Sequence, residues 1–126
     1  MTASMFSFFD KLTGNSVAIQ LKCRTVSIRK KGSDERGNSV HFQVRQSTYR
    51  EARKAFLVAA LFDEDLTTFE AMWFLPMKLL PEVALDISGK YVIRPSKALS
   101  SNDKYVPFRC LSALELAQRI IDICEN

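Results

Sequence analysis

Cysteine is scarce: Cys23, Cys110 and Cys124 are three in 126 residues, far apart, with no CxxC pair. An odd, scattered set excludes a disulfide framework and a cysteine-rich zinc site, and predicts reduced thiols in a cytoplasmic protein. Histidine is scarcer still. The one histidine, His41, has no cysteine or second histidine at ligand spacing, so it reads as an ordinary sheet or surface residue rather than a metal ligand. Long apolar runs are missing too. Ala55 to Phe62 and Met72 to Leu75 fall far short of the roughly 20 residues that cross a bilayer, so no membrane partner is expected. The N-terminal MTASMFSFFDK has no basic stretch ahead of its short apolar run and does not read as a secretory signal. There is no glycine-rich phosphate loop, no Ser/His/Asp set, no internal repeat, and no low-complexity tract or linker.

What is present suits one packed domain over residues 1–126. The chain is 47% apolar and 25% charged, close to the globular average. At this length folding buries roughly two thirds of the accessible surface, enough to be stable without a disulfide or structural metal. Net charge is only +4 but unevenly placed: Lys22 to Lys54 holds ten Lys or Arg against three acids, +7, which leaves −3 for the rest. Such asymmetry points to a polyanionic partner, nucleic acid above all, with Arg24, Arg29, Lys30, Lys31, Arg50 and Arg53 as candidate phosphate contacts. The simpler reading of the same residues is solvated strand and helix surface.

Met5 to Phe9, the turn Asp10 to Asn15 and the alternating Ser16 to Arg29 predict a hairpin, with Val17, Ile19 and Leu21 on one face and Ala18, Gln20 and Lys22 on the other. Lys30 to Asn38 is polar and reads as an exposed loop before a strand over Val40 to Arg45. Ser47 to Lys54 suggests a short capped helix. Ala55 to Phe62 is apolar throughout, as a strand covered on both faces would be. After a turn at Asp63 to Leu66, Thr67 to Leu75 predicts another strand, stopped by Pro76. A brief helix over Met77 to Val83, a small strand over Lys90 to Arg94 and a loop from Pro95 to Lys104 follow. Ser112 with Glu115 three residues on is a capping box. It opens a helix whose Leu114, Ala117, Ile121 and Cys124 recur at helical spacing and are expected to pack on a single mixed sheet.

Gln20 and Lys22, two apart on one strand face, form a polar pair that could hold a ligand, although such pairs are commonly only solvent-facing. Their stretch Ala18-Ile-Gln-Leu-Lys-Cys-Arg24 resembles the (D/E/Q)-x-K motif of the PD-(D/E)XK nuclease superfamily. The preceding turn, the strands ending Phe62-Asp63 and Trp73-Phe-Leu-Pro76, the stretches Tyr91 to Lys97 and Asp103 to Phe108, and the Leu/Ala-rich terminal helix are similar to bacterial domains of that superfamily from defence and mobile-element settings. The resemblance spans roughly Phe8 to Cys124.

The resemblance implies an α/β, restriction-endonuclease-like mixed sheet with flanking helices, missing the usual N-terminal helix and strand. It implies nucleic acid as partner and Mg²⁺-dependent phosphodiester cleavage, with Gln20 a metal ligand through its carbonyl oxygen and Lys22 the catalytic cation. The first acid departs from the family pattern. If Asp10 pairs near Ser16, Gln20 faces Phe6 and Lys22 faces Ser4, and Asp10 stands four residues from Gln20, about 13 Å at ~3.3 Å per residue. Metal–oxygen distances of ~2.1 Å do not span that gap. The expected protein is therefore a truncated or degenerate member in which cleavage is weak or absent. The alternative is a catalytically inactive interaction module, an immunity-type protein with a protein partner, or a homodimer.

Other polar features have simpler explanations. Asp63, Glu64 and Asp65 read as a solvated turn before a metal cluster, and Trp73 as core before a base-stacking platform. Cys23 adjoins Lys22 in sequence, but alternation sends it to the opposite face, against a nucleophilic role.

Overall fold

A computed structural model describes residues 3–9, 16–25, 39–48, 54–63 and 67–125. The architecture starts from Ala55–Phe62 (β4), whose eight residues AFLVAALF are buried except at the last. A strand without a polar side must be covered twice, and this one is. It pairs in parallel with Ser16–Thr25 (β2) and antiparallel with Phe69–Pro76 (β5). Ala3–Phe9 (β1) extends the sheet beyond β2, and the two-residue strand Arg109–Cys110 (β8) closes the other edge against Met72 and Trp73. The order is β1-β2-β4-β5-β8, a mixed sheet in an α/β fold.

The expected single sheet is in fact two. Phe42–Arg45 (β3), Lys90–Ile93 (β7) and Leu85–Ile87 (β6) form a separate antiparallel sheet ordered β3-β7-β6. Phe42 and Val44 point inward and are fully buried, so β3 gains more by lying on the face of the large sheet than by extending its edge. There they meet Leu57, Ala59, Trp73 and Leu75 in one core. Phe42 packs edge-on to Trp73, ring centroids 6.0 Å apart at 66°. The strand Leu85–Ile87 was not anticipated. It joins β7 through a two-residue turn in which Ser88 and Gly89 both have positive φ, 51° and 79°, the geometry that matches the twist of a tight hairpin.

The other face of the large sheet carries Val17, Ile19, Phe56, Val58, Met72 and Phe74. Phe56 and Phe74 stack at 4.7 Å. The helix Ala113–Glu125 covers this face, and its phase differs from the expectation. Leu116, Ile120 and Ile123 pack on the sheet with Cys124, whereas Leu114 is 79% and Ile121 48% exposed. The cause lies at Arg119, which donates to the carbonyl oxygens of Arg109 (3.1 Å) and Pro107 (3.4 Å) and to the Glu115 carboxylate (2.8 Å), fixing the helix rotation. The capping box itself is present. Ser112 Oγ accepts from the Glu115 N–H at 3.0 Å, and the Glu115 carboxylate accepts from the Leu111 N–H at 2.8 Å.

The hairpin of β1 and β2 is as expected, but its register is one residue away. Gln20 lies opposite Met5 and Lys22 opposite Ala3, with Ser16 opposite Phe9. A one-residue slip exchanges faces. The observed register sets Phe6 and Phe8 opposite Ile19 and Val17, apolar against apolar, where the expected one sets Phe6 opposite Gln20. Of the expected helix Ser47 to Lys54, the 3-10 turn Gln46–Thr48 is described and residues 49–53 lie outside the described residues, as does the loop Lys30 to Asn38. Among the described residues no helix is long and apolar enough to cross a membrane.

Candidate functional site

Gln20 and Lys22 do share a face of β2, opposite Val17 and Ile19, because side chains alternate along a strand. That face is not the open one the sequence suggests. The small sheet lies over it: Ala18 packs into the core beneath β3, and Gln20 is 3% exposed. Lys22 reaches the rim half-buried. Burial lowers its ammonium pKa, and the Arg45 guanidinium lowers it further. Cys23, on the opposite face, has its thiol pushed up by burial, away from the thiolate a nucleophile requires.

This arrangement does not suit a divalent cation. Gln20 offers one amide oxygen, and among the described residues no three of His, Cys, Asp and Glu gather closely enough to hold a metal ion. Asp10, the candidate for the first acid, lies outside the described residues. Asp63, from the acidic turn, is engaged locally: its carboxylate accepts from the N–H and the hydroxyl of Thr67 (2.9 and 2.8 Å) and of Thr68 (3.4 and 3.0 Å). The Thr67 hydroxyl bond is the leading reason its pKa is lowered.

What the rim assembles instead is positive charge. Along β3 the inward Phe42 and Val44 leave His41, Gln43 and Arg45 facing out. On β7 Lys90 stands directly opposite Arg45. The same register, continued to the bridge between Ser39 and Ser96, sets Arg94 opposite His41. From β2 Arg24 reaches across and donates to the His41 carbonyl at 3.2 Å. Six basic side chains from three strands thus share one rim: Lys22, Arg24, His41, Arg45, Lys90 and Arg94. Their mutual influence is visible at His41, whose pKa is lowered first by burial, then by Arg94, Arg24 and Lys90. Like charges directly across a strand pair are unfavourable. Yet Lys22, Arg24, Lys90 and Arg94 are paired with no carboxylate among the described residues.

Of the six cations expected to contact phosphate, Arg24 lies on this rim, and Arg29, Lys30, Lys31, Arg50 and Arg53 lie outside the described residues. Lys90 and Arg94 escaped the sequence reading because they lie outside the +7 segment and join it only through strand pairing. The spacing Lys90, Val92, Arg94 was the available signal, since it places both cations on one face of a strand. Comparison with protein-family models, with curated proteins and with solved structures finds no match to this chain.

Proposed function

We propose that this chain is a nucleic-acid-binding protein that holds backbone phosphates on the cationic rim of β2, β3 and β7. The observation that carries the reading is the gathering of Lys22, Arg24, Lys90 and Arg94 on one rim with no carboxylate partner among the described residues. Stability alone gives no reason to collect such charges, whereas a phosphodiester backbone neutralises them and releases its counterions. The Gln20-x-Lys22 resemblance to the PD-(D/E)XK nucleases agrees in ligand class. Cleavage by that family's chemistry is not part of the proposal, because Gln20 is buried and no metal-holding group of acids gathers among the described residues.

The test is a salt titration of binding to a duplex, with single-stranded DNA and RNA in parallel. On the duplex, log affinity should fall with log salt by roughly 0.9 for each phosphate contact. The exposed triple variant Arg24→Ala, Lys90→Ala, Arg94→Ala should lose affinity on every sequence alike and flatten that slope by about 2 to 3, since phosphate contacts position without reading bases. No binding at low salt, or a variant that binds as well as the parent, removes the proposal. Robust Mg²⁺- or Mn²⁺-dependent cleavage abolished by Lys22→Ala would replace it with catalysis.

A second reading, an interaction module with a protein partner, has one observation in its favour. Leu85 and Ile87 are 47% and 43% exposed on β6, opposite Val92 and Lys90 of the same rim. Complex formation that ignores salt would favour that reading.

A further inference from the structure

At the opposite edge of the large sheet, β8 covers only Met72 and Trp73 of the eight-residue β5. The short cover leaves a cleft of about 690 Å³ beside Phe69 and Glu70, and a second chamber of about 240 Å³ over Trp73. Leu99, Arg109 and Leu111 line both. Arg109 is the unusual member. Its guanidinium lies over the Trp73 ring at 5.4 Å, and Nη1 donates weakly to the Ser96 carbonyl at 3.5 Å. Its Nε is buried with no hydrogen-bond partner, and no carboxylate among the described residues pairs with it. That atom is closed to solvent, and Arg109 meets the chambers through the rest of its side chain.

The other charges at the cleft are already engaged. Lys97 faces Glu70 at 3.8 Å, and Glu115 is held by the Leu111 N–H and Arg119. Among the described residues Arg109 is thus the cation at the cleft without a carboxylate partner, and exposed apolar side chains stand beside it. Leu99 is 80%, Leu111 67% and Val106 42% exposed around the chambers. We propose that this double cleft binds a small monocarboxylate with an apolar body, its carboxylate on Arg109 and its body against Leu99, Leu111 and Val106. A planar carboxylate matches the guanidinium fork. A phosphate dianion fits less well, because Glu70 and Glu115 also line the chambers and its second negative charge would go unbalanced beside Arg109. The inner chamber holds the equivalent of roughly eight waters at ~30 Å³ each, room for a head group and a short chain. This site is separate from the cationic rim and does not depend on it.

Trp73 is the only tryptophan in the chain and lies directly beneath Arg109, so its emission reports on the site. Sodium hexanoate should change that emission saturably, with a dissociation constant on the order of a millimolar. Hexanol and inorganic phosphate should not. Arg109→Gln should abolish the response. Because that change could disturb β8, Leu99→Glu provides a second variant at a position too exposed to affect folding. It should weaken hexanoate at least tenfold by placing a negative charge at the mouth. An equal response to hexanol, a response to phosphate, or undiminished hexanoate binding by Leu99→Glu overturns the proposal.

Discussion

On one face of the five-stranded sheet, Leu57, Trp73 and Leu75 meet Phe42 and Val44 of a second sheet. On the other, Phe56, Val58 and Phe74 meet Leu116, Ile120 and Ile123 of a helix. The two closures differ in completeness. Under the small sheet even Gln20 is 3% exposed, whereas the helix buries Cys124 and leaves a second apolar row, Leu114 and Ile121, in solvent. They differ also in charge. On the rim of the small sheet Lys90 and Arg94 have no carboxylate partner among the described residues, while on the helix Arg119 is tied to Glu115 and to two carbonyls. The same residue types are thus set differently: on the helix Arg119 is tied to its own element and to β8, and on the sheet rim the cations gather beside one another.

Removing the centre of the sheet-covered core should have the largest effect. Trp73→Ala deletes a fully buried ring that touches Phe42 and supports Arg109, and about 3–5 kcal/mol of stability should be lost in denaturant unfolding. A loss below about 1 kcal/mol would mean that this face is not the better packed of the two. On the helix face the pair Ile120→Ala and Ile121→Ala separates the observed phase from the one the sequence suggests. The first should cost about 1–3 kcal/mol and the second within about 0.5 kcal/mol, because only Ile120 touches the sheet. The reverse order would rotate the helix. Ser112→Ala removes the acceptor for the Glu115 N–H and should cost about 1 kcal/mol, read as a lower midpoint with an unchanged slope.

The two faces were unequally legible in the sequence, for a physical reason. The apolar run of β4 and the Ser112/Glu115 box are local signals, and both are present as expected. The helix phase was not local. Leu114, Ala117, Ile121 and Cys124 recur at helical spacing, but so do Leu116, Ile120 and Ile123, and the choice rests on Arg119 reaching carbonyls ten and twelve residues away. Burial of Gln20 depends on β3, which crosses over from beyond a long connection, so alternation within β2 could reveal the shared face but not its cover. Strands of two and three residues, β8 and β6, are too short to show a period, and with β8 went Arg109. The pairing of β3 with β7 that brings Lys90 to the rim joins segments distant in sequence, so alternation within either strand could not show it.

The smallest expected effect is also the most direct test of the charged rim, because the chain has a single histidine. His41 faces Arg94 and Lys90 on β7 and Arg24 on β2, with Gln43 Nε2 at 3.1 Å from its ring. Burial and those cations hold its pKa below the ordinary value of about 6.5, so the folded chain binds this proton less tightly than the unfolded chain does. The resulting stability is fully present above pH 6.5 and declines as pH falls through the lowered folded value. Melting temperatures of the parent should therefore drop more between pH 7 and 5 than those of His41→Gln, and the imidazole resonance should titrate below 6.5. Bound phosphates would cancel the neighbouring positive field, so saturating duplex DNA should move that titration upward and binding should take up protons. An imidazole that already titrates above 6.5 in the free protein would show that the cations of β2 and β7 do not converge on it.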